Sequence, residues 1–106
     1  MTSNEPIPFR PLGILKTLIE ALGFVVTHCY EDLVFIKHNA FLLRMEEKGE
    51  DISLLFNSES DIDKRGEIAE LLKNSGETHN LVIARAGTYT MIPNRSDGTI
   101  NLEFQE

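Results

Sequence analysis

Residues 24–57 read FVVTHCYEDLVFIKHNAFLLRMEEKGEDISLLFN, and the way they pair decides the fold. Apolar, β-branched and aromatic residues crowd four short runs, 24–30, 33–37, 40–45 and 52–56, as in strands. Between them lie Glu31-Asp32, His38-Asn39 and a polar run from Glu46 to Asp51 that contains Gly49. Two-residue loops make tight hairpins, and asparagine tolerates the positive φ such turns require. Histidine at the first loop position is less usual but sterically allowed. The stretch therefore predicts a four-stranded antiparallel meander.

Tight loops set the register, and register decides which side chains share a face. Tyr30 should oppose Leu33, so His28 meets Phe35 and Cys29 meets Val34. Lys37 should oppose Ala40, which aligns Phe35 with Leu42 and Val34 with Leu43. If Met45 opposes Ile52, Leu43 meets Leu54 and Leu42 meets Leu55. One face then carries the rows Cys29–Val34–Leu43–Leu54 and Thr27–Ile36–Phe41–Phe56, a nearly unbroken apolar core face. The other carries the row His28–Phe35–Leu42–Leu55, with Val26, Tyr30 and Leu33 beside it. Arg44 and Ser53 flank that strip on one side, Lys37 and Asn57 on the other. An antiparallel sheet usually hides one face and wets the other; this one needs cover on both. An apolar centre with a polar rim is how a contact surface is built, so the second strip is the expected partner-binding site. Cover by the chain's own second helix or last hairpin is the competing expectation.

The remaining residues frame the meander. Pro11 suits the start of a helix, and Leu12, Leu15, Leu18, Ile19 and Leu22 follow at helical spacing. Gly23 is the expected stop in the left-handed position, giving a helix over 11–22 that folds back onto the core face. A second helix is expected over 61–74, ending at Gly76, with Ser58 to Asp61 offering N-caps. Gly66 in its middle would mark a bend or a close approach. Residues 81–86 form a short strand, Gly87 interrupts it, and 89–92 resume. Asp97-Gly98 is a hairpin turn, and 99–105 alternate strictly, with Ile100, Leu102 and Phe104 on one face. The expectation is a single α+β domain over 1–106: N-terminal helix, four-stranded antiparallel meander, second helix, then C-terminal strands with a β-hairpin. Residues 1–10 are expected to be a flexible arm.

Composition narrows the function classes. A net charge of −7 opposes nucleic-acid phosphates and anionic lipid surfaces. One cysteine permits no internal disulfide, no leader pattern is visible, and no apolar run reaches membrane-spanning length, so a cytoplasmic protein is expected. Neither nucleic acid nor membrane is an expected partner.

No catalytic or metal motif stands out. His28 and Cys29 are adjacent on a strand and point to opposite faces, while His38 and His79 stand apart, so no metal site is expected. Cys29 falls in the core-facing row and is expected to be buried and unreactive. Asp61-x-Asp63-x-Arg65-Gly66 mimics a calcium loop, but Arg65 holds the fifth position and Leu72 the twelfth. Glu46, Glu47, Glu50 and Asp51 read as a solvated turn. The glycines stand too far apart for a phosphate loop, and no cofactor is expected.

The element order, carried by helix 11–22, strands 24–57, helix 61–74 and the return at 81–92, resembles the secretion-chaperone-like fold, best known in the class I type III secretion chaperones. That resemblance implies a small, acidic, cytoplasmic homodimer that binds an extended stretch of another protein. Four strands here, not three, precede the second helix, and the chain ends in a hairpin where those chaperones have a third helix. The leading expectation is thus a protein-binding module, chaperone-like and dimeric, whose partner is another protein or a second copy of itself. The alternatives are a small-molecule-binding regulatory domain, with a pocket between the second helix and the sheet, and an enzyme subunit completed by another chain.

Overall fold

Helix formation begins where the apolar periodicity begins. A computed structural model describes residues 11–106; the arm expected over 1–10 lies outside the described residues. Helix α1 spans Leu12–Ala21 and buries Leu15, Leu18 and Ile19 completely. Pro11 occupies the N-cap, one residue before its expected place at the first helical position. Gly23 adopts φ 93° and turns the chain into the sheet, with the Phe24 amide donating back to the Ile19 carbonyl at 3.1 Å.

The meander follows as β1 (Val26–Tyr30), β2 (Leu33–Ile36), β3 (Phe41–Met45) and β4 (Asp51–Asn57). The expected register holds at His28↔Phe35, Phe35↔Leu42, Leu43↔Leu54 and Met45↔Ile52. Glu31 at φ 54° and His38 at φ 70° supply the positive φ of the two tight turns, the second a 3-10 turn over Lys37–Asn39. One departure matters. A bulge between Val26 and His28 pairs Val26 with Ile36. Thr27 therefore leaves the core row and is exposed, its hydroxyl donating to the Phe35 carbonyl at 3.3 Å. Val26, expected on the second face, packs instead against the core under the helices.

Helix α2 spans Ile62–Thr78. Asp61 caps it by accepting from the Asp63 amide at 3.0 Å. Arg65 ties its first turn to the end of β4, donating to the Ser60 hydroxyl at 3.1 Å and the Asn57 carbonyl at 3.0 Å. The helix runs through Gly76, where a stop was expected. A Cβ there would lie 2.9 Å from the Ile83 side chain and 3.1 Å from the Leu81 carbonyl, so this glycine serves close packing of helix on strand. Gly66, by contrast, meets nothing within 4 Å and marks no close approach. At 1.5 Å per residue the helix carries the chain back by about 25 Å. Strand β5 (Val82–Pro93) consequently starts at the same end as β4 and pairs with it in parallel. Strand β6 (Ile100–Gln105) returns antiparallel beside β5.

The result is one mixed sheet in the order β1-β2-β3-β4-β5-β6, parallel only between β4 and β5. Both helices lie on one face. There Leu15, Leu18, Ile19 and Leu72 close over Val34, Ile36, Phe41, Leu43, Leu54 and Phe56. The second face gathers Leu33, Phe35, Leu42, Leu55 and Tyr89, with Met91 and Leu102 packed against them.

Gly87 makes the second cluster possible. Residues 81–86 and 89–92, expected as two strands, form one long strand whose register with β4 shifts between Leu54 and Leu55. Gly87 sits in that shift at φ 145°, and a Cβ on it would collide with the Gln105 carbonyl. Beyond Tyr89 the strand no longer pairs with β4, so residues 90–93 and their β6 partners form a two-stranded overhang.

Two substitutions test this packing. Leu43→Ala removes a fully buried side chain beneath the helices and should cost roughly 2–5 kcal/mol in denaturant unfolding. Gly87→Ala should destabilise by more than Gly66→Ala, because only the former combines positive φ with a blocked Cβ position. Equal effects at the two glycines would contradict the bulge.

Candidate interaction groove

Strand β6 alternates, so Ile100, Leu102 and Phe104 share a side, as do Met91 and Tyr89 opposite them on β5. The overhang carries this side across the second sheet face towards β1 and β2. Between them runs a groove of about 670 Å³. His28, Tyr30, Leu33 and Phe35 line one wall; Met91, Ile100, Leu102 and Phe104 line the other. The His28 ring stacks on Phe35, centroids 4.5 Å apart and 11° from parallel. Tyr30 is 63% exposed and Ile100 60% exposed, so the mouth of the groove is apolar and open.

The β5–β6 hairpin is anchored at the base of the overhang, beside Tyr89. Arg44 shares the second face with Leu42, and its guanidinium lies 5.5 Å from the Phe104 ring centroid. It pairs with Glu106 just past β6 and donates through Nε to Glu46 at 2.7 Å. The Ser53 hydroxyl donates to the same Glu46 oxygen at 2.6 Å. Glu46, expected as part of a solvated turn, is therefore a half-buried member of this cluster. The bond to Glu106 is the main reason Arg44 holds its proton more tightly than a free guanidinium, against the opposing effect of burial. Burial pushes the Glu46 carboxyl up, but the hydrogen bonds from Ser53 and Arg44 together outweigh it, so the group titrates below its ordinary 4.5.

The expected partner strip divides into three. Tyr30 and His28 are accessible in the groove wall, with Leu33 and Phe35 mostly buried behind them. Leu42 and Leu55 are fully buried in the sheet's own second cluster. Val26 lies on the opposite face, displaced by the Thr27 bulge. Of the residues that complete the groove, Ile100, Leu102 and Phe104 carried a signal in the alternation of 99–105, whereas Met91 lies on β5. That pattern shows a shared face, but not which part of the sheet it covers.

Other expectations meet different outcomes. Cys29 is exposed, not buried. It sits on the edge strand, where every residue after Val26 is exposed. Between α2 and β5 there is a cleft of about 380 Å³, lined by Ala69, Lys73, Glu77 and Arg85 among others. Among the described residues no three His, Cys, Asp or Glu side chains gather as a metal would require. Nor is any helix among them long and apolar enough to cross a membrane. Tyr89 is fully buried; its phenol is raised by burial, against a hydrogen bond with Asn57. Asp97 is held below its ordinary value by hydrogen bonds from the Thr99 side chain and backbone.

Two measurements check this geometry. Cys29 in the native protein should react with a thiol reagent about as fast as in denaturant; strong native protection would contradict its exposure. For Glu46, a folded pKa below 4.5 means the unfolded chain binds its proton first as pH falls. Its contribution to stability is thus complete above the unfolded value and lost as pH drops through the folded one. Glu46→Gln should therefore be less stable than wild type at pH 7, and the gap should close under acid conditions.

No family model, curated protein or solved structure matches this chain.

Proposed function

We propose that this chain is a small acidic protein-binding module of the cytoplasm, and that the groove between β1–β2 and the overhanging hairpin receives a segment of the partner. The observation that carries the reading is the meeting of exposed apolar side chains from opposite ends of one sheet, Tyr30 on β1 and Ile100 on β6. Scattered apolar residues on a surface need no explanation; a contiguous apolar groove does. Both walls include an outermost strand of the sheet. Each such strand leaves a row of backbone donors and acceptors outside the ladder, which favours an extended polypeptide as the occupant. The chaperone-like element order agrees with this role. A self-associating dimer through the whole second face has less support, since Leu42, Leu55 and Phe35 already pack against the chain's own hairpin.

A second reading has one observation in its favour. A volume of about 670 Å³ lies within the usual range for small-molecule sites, roughly 300–1,000 Å³. An apolar ligand of that size would make the chain a regulatory binding domain. The open mouth and the scarcity of convergent polar groups weigh towards a polypeptide. An enzymatic role draws no support from the ionisable groups, because Glu46, Tyr89 and Asp97 stand in separate settings.

The test is a selection of displayed random peptides on the native protein. Phe35 is interior, so a charge there would test folding; Tyr30 and Ile100 test contact. Each apolar side chain fully buried by a ligand contributes roughly 1.5–3 kcal/mol. Tyr30→Ser and Ile100→Ser should each weaken the selected peptides towards that extent, whereas Leu71→Ser, on the exposed side of α2, should not. Peptides indifferent to Tyr30 and Ile100 would place binding elsewhere.

A further inference from the structure

We propose that the groove selects a polypeptide segment whose apolar side chains are flanked by lysine or arginine. The inference rests on the reading of the groove as a protein-binding site and adds the chemistry of its partner. Among the described residues the lining contains no carboxylate, lysine or arginine, and His28 and Tyr30 are its ionisable side chains. An apolar lining supplies affinity but discriminates poorly among apolar partners, so selectivity falls to the rim.

The rim is acidic. Glu31 and Asp32 form the turn between Tyr30 and Leu33, both of which line one wall. Asp97 stands in the loop that leads into Thr99 on the other wall, held ionised by hydrogen bonds from the Thr99 hydroxyl and amide. Glu103, between the groove residues Leu102 and Phe104, points to the opposite face of β6 and is not part of the rim. Against these three acids stands Arg95, in the same loop as Asp97. Arg44 adds no free positive charge, because both Glu46 and Glu106 pair with it. The whole chain carries −7, so its long-range field has the same sign as the rim. A segment with anionic flanks would meet repulsion at both walls, and one with cationic flanks would meet attraction. Exposed pairs of this kind are individually weak and screened by salt, so the preference should be modest, additive over several contacts and lost at high ionic strength.

The experiment uses three fluorescent peptides with one alternating apolar core, flanked by lysines, by serines or by glutamates, and reads anisotropy with the full chain. At low salt the lysine-flanked peptide should bind about tenfold more tightly than the serine-flanked one, the glutamate-flanked one most weakly, with convergence near 0.5 M salt. The double variant Glu31→Lys, Asp97→Asn, both at exposed positions, should abolish the order. Tyr30→Ser and Ile100→Ser should weaken all three peptides alike. Equal binding of the three by wild type, still sensitive to Tyr30 and Ile100, would overturn the charge inference and leave the groove reading standing. Binding of the lysine-flanked peptide that ignores Tyr30 and Ile100 would overturn the proposal as diffuse charge attraction. No binding of any peptide would overturn the proposal and the reading beneath it.

Discussion

Two leucine pairs sit side by side on the central strands, Leu42-Leu43 on β3 and Leu54-Leu55 on β4. Successive strand residues point to opposite faces, so each pair sends one large apolar side chain each way. All four are buried to within 1% of completely. Neither face of the sheet centre can therefore meet water, and the rest of the molecule is arranged around that constraint. On one face the answer is conventional: α1 and α2 lay their apolar stripes across Leu43 and Leu54. With both helices committed there, Leu42 and Leu55 must be covered by something else.

The chain covers them with itself. The α2 crossover sends β5 out parallel to β4, and β5 is longer than its neighbour, so its second half continues past the pairing. Gly87 redirects it with a bulge at a φ that a side chain would resist, and lets the β6 backbone approach closely. Tyr89 then lies buried against Leu42 and Leu55, while Met91 and Leu102 extend the cover. Arg44, half-buried beside that cluster, fastens the base of the hairpin through Glu106 and the Phe104 ring. A two-stranded overhang is too narrow to seal the whole face. The groove towards His28 and Tyr30 is what remains uncovered, and its apolar walls follow directly from the two-faced sheet.

Much of this is legible in the residues. The turns at Glu31-Asp32 and His38-Asn39 are short enough to set register without knowledge of anything distant, and the pairings they imply from His28 to Leu43 are the observed ones; the longer third loop set none, but Met45 opposite Ile52, assumed across it, is also observed. The need for cover on both faces follows from that register. What stays hidden depends on long-range geometry. Val26 and Thr27 change faces because of a bulge that no local residue announces. Cys29 has the parity of a core residue but sits on the sheet's edge strand, and parity says nothing of a strand's place in the sheet. Gly87 reads as an interruption, whereas its role is to redirect one continuous strand. The alternation of Ile100, Leu102 and Phe104 shows a half-buried strand without saying which face it turns to.

The β5–β6 hairpin covers Leu42 and Leu55 on the second face and is held there by contact with β3, a strand it does not pair with. Proton NMR tests it at Arg44 and Phe104. With the guanidinium carbon 5.5 Å from the ring centroid, Arg44 side-chain protons should show ring-current shifts and nuclear Overhauser contacts to the Phe104 ring. Cross-strand contacts between Met91 and Leu102, without any from Phe104 to Arg44, would contradict the account. They would show a hairpin that forms but stands away from the face, leaving Leu42 and Leu55 to be covered by another molecule.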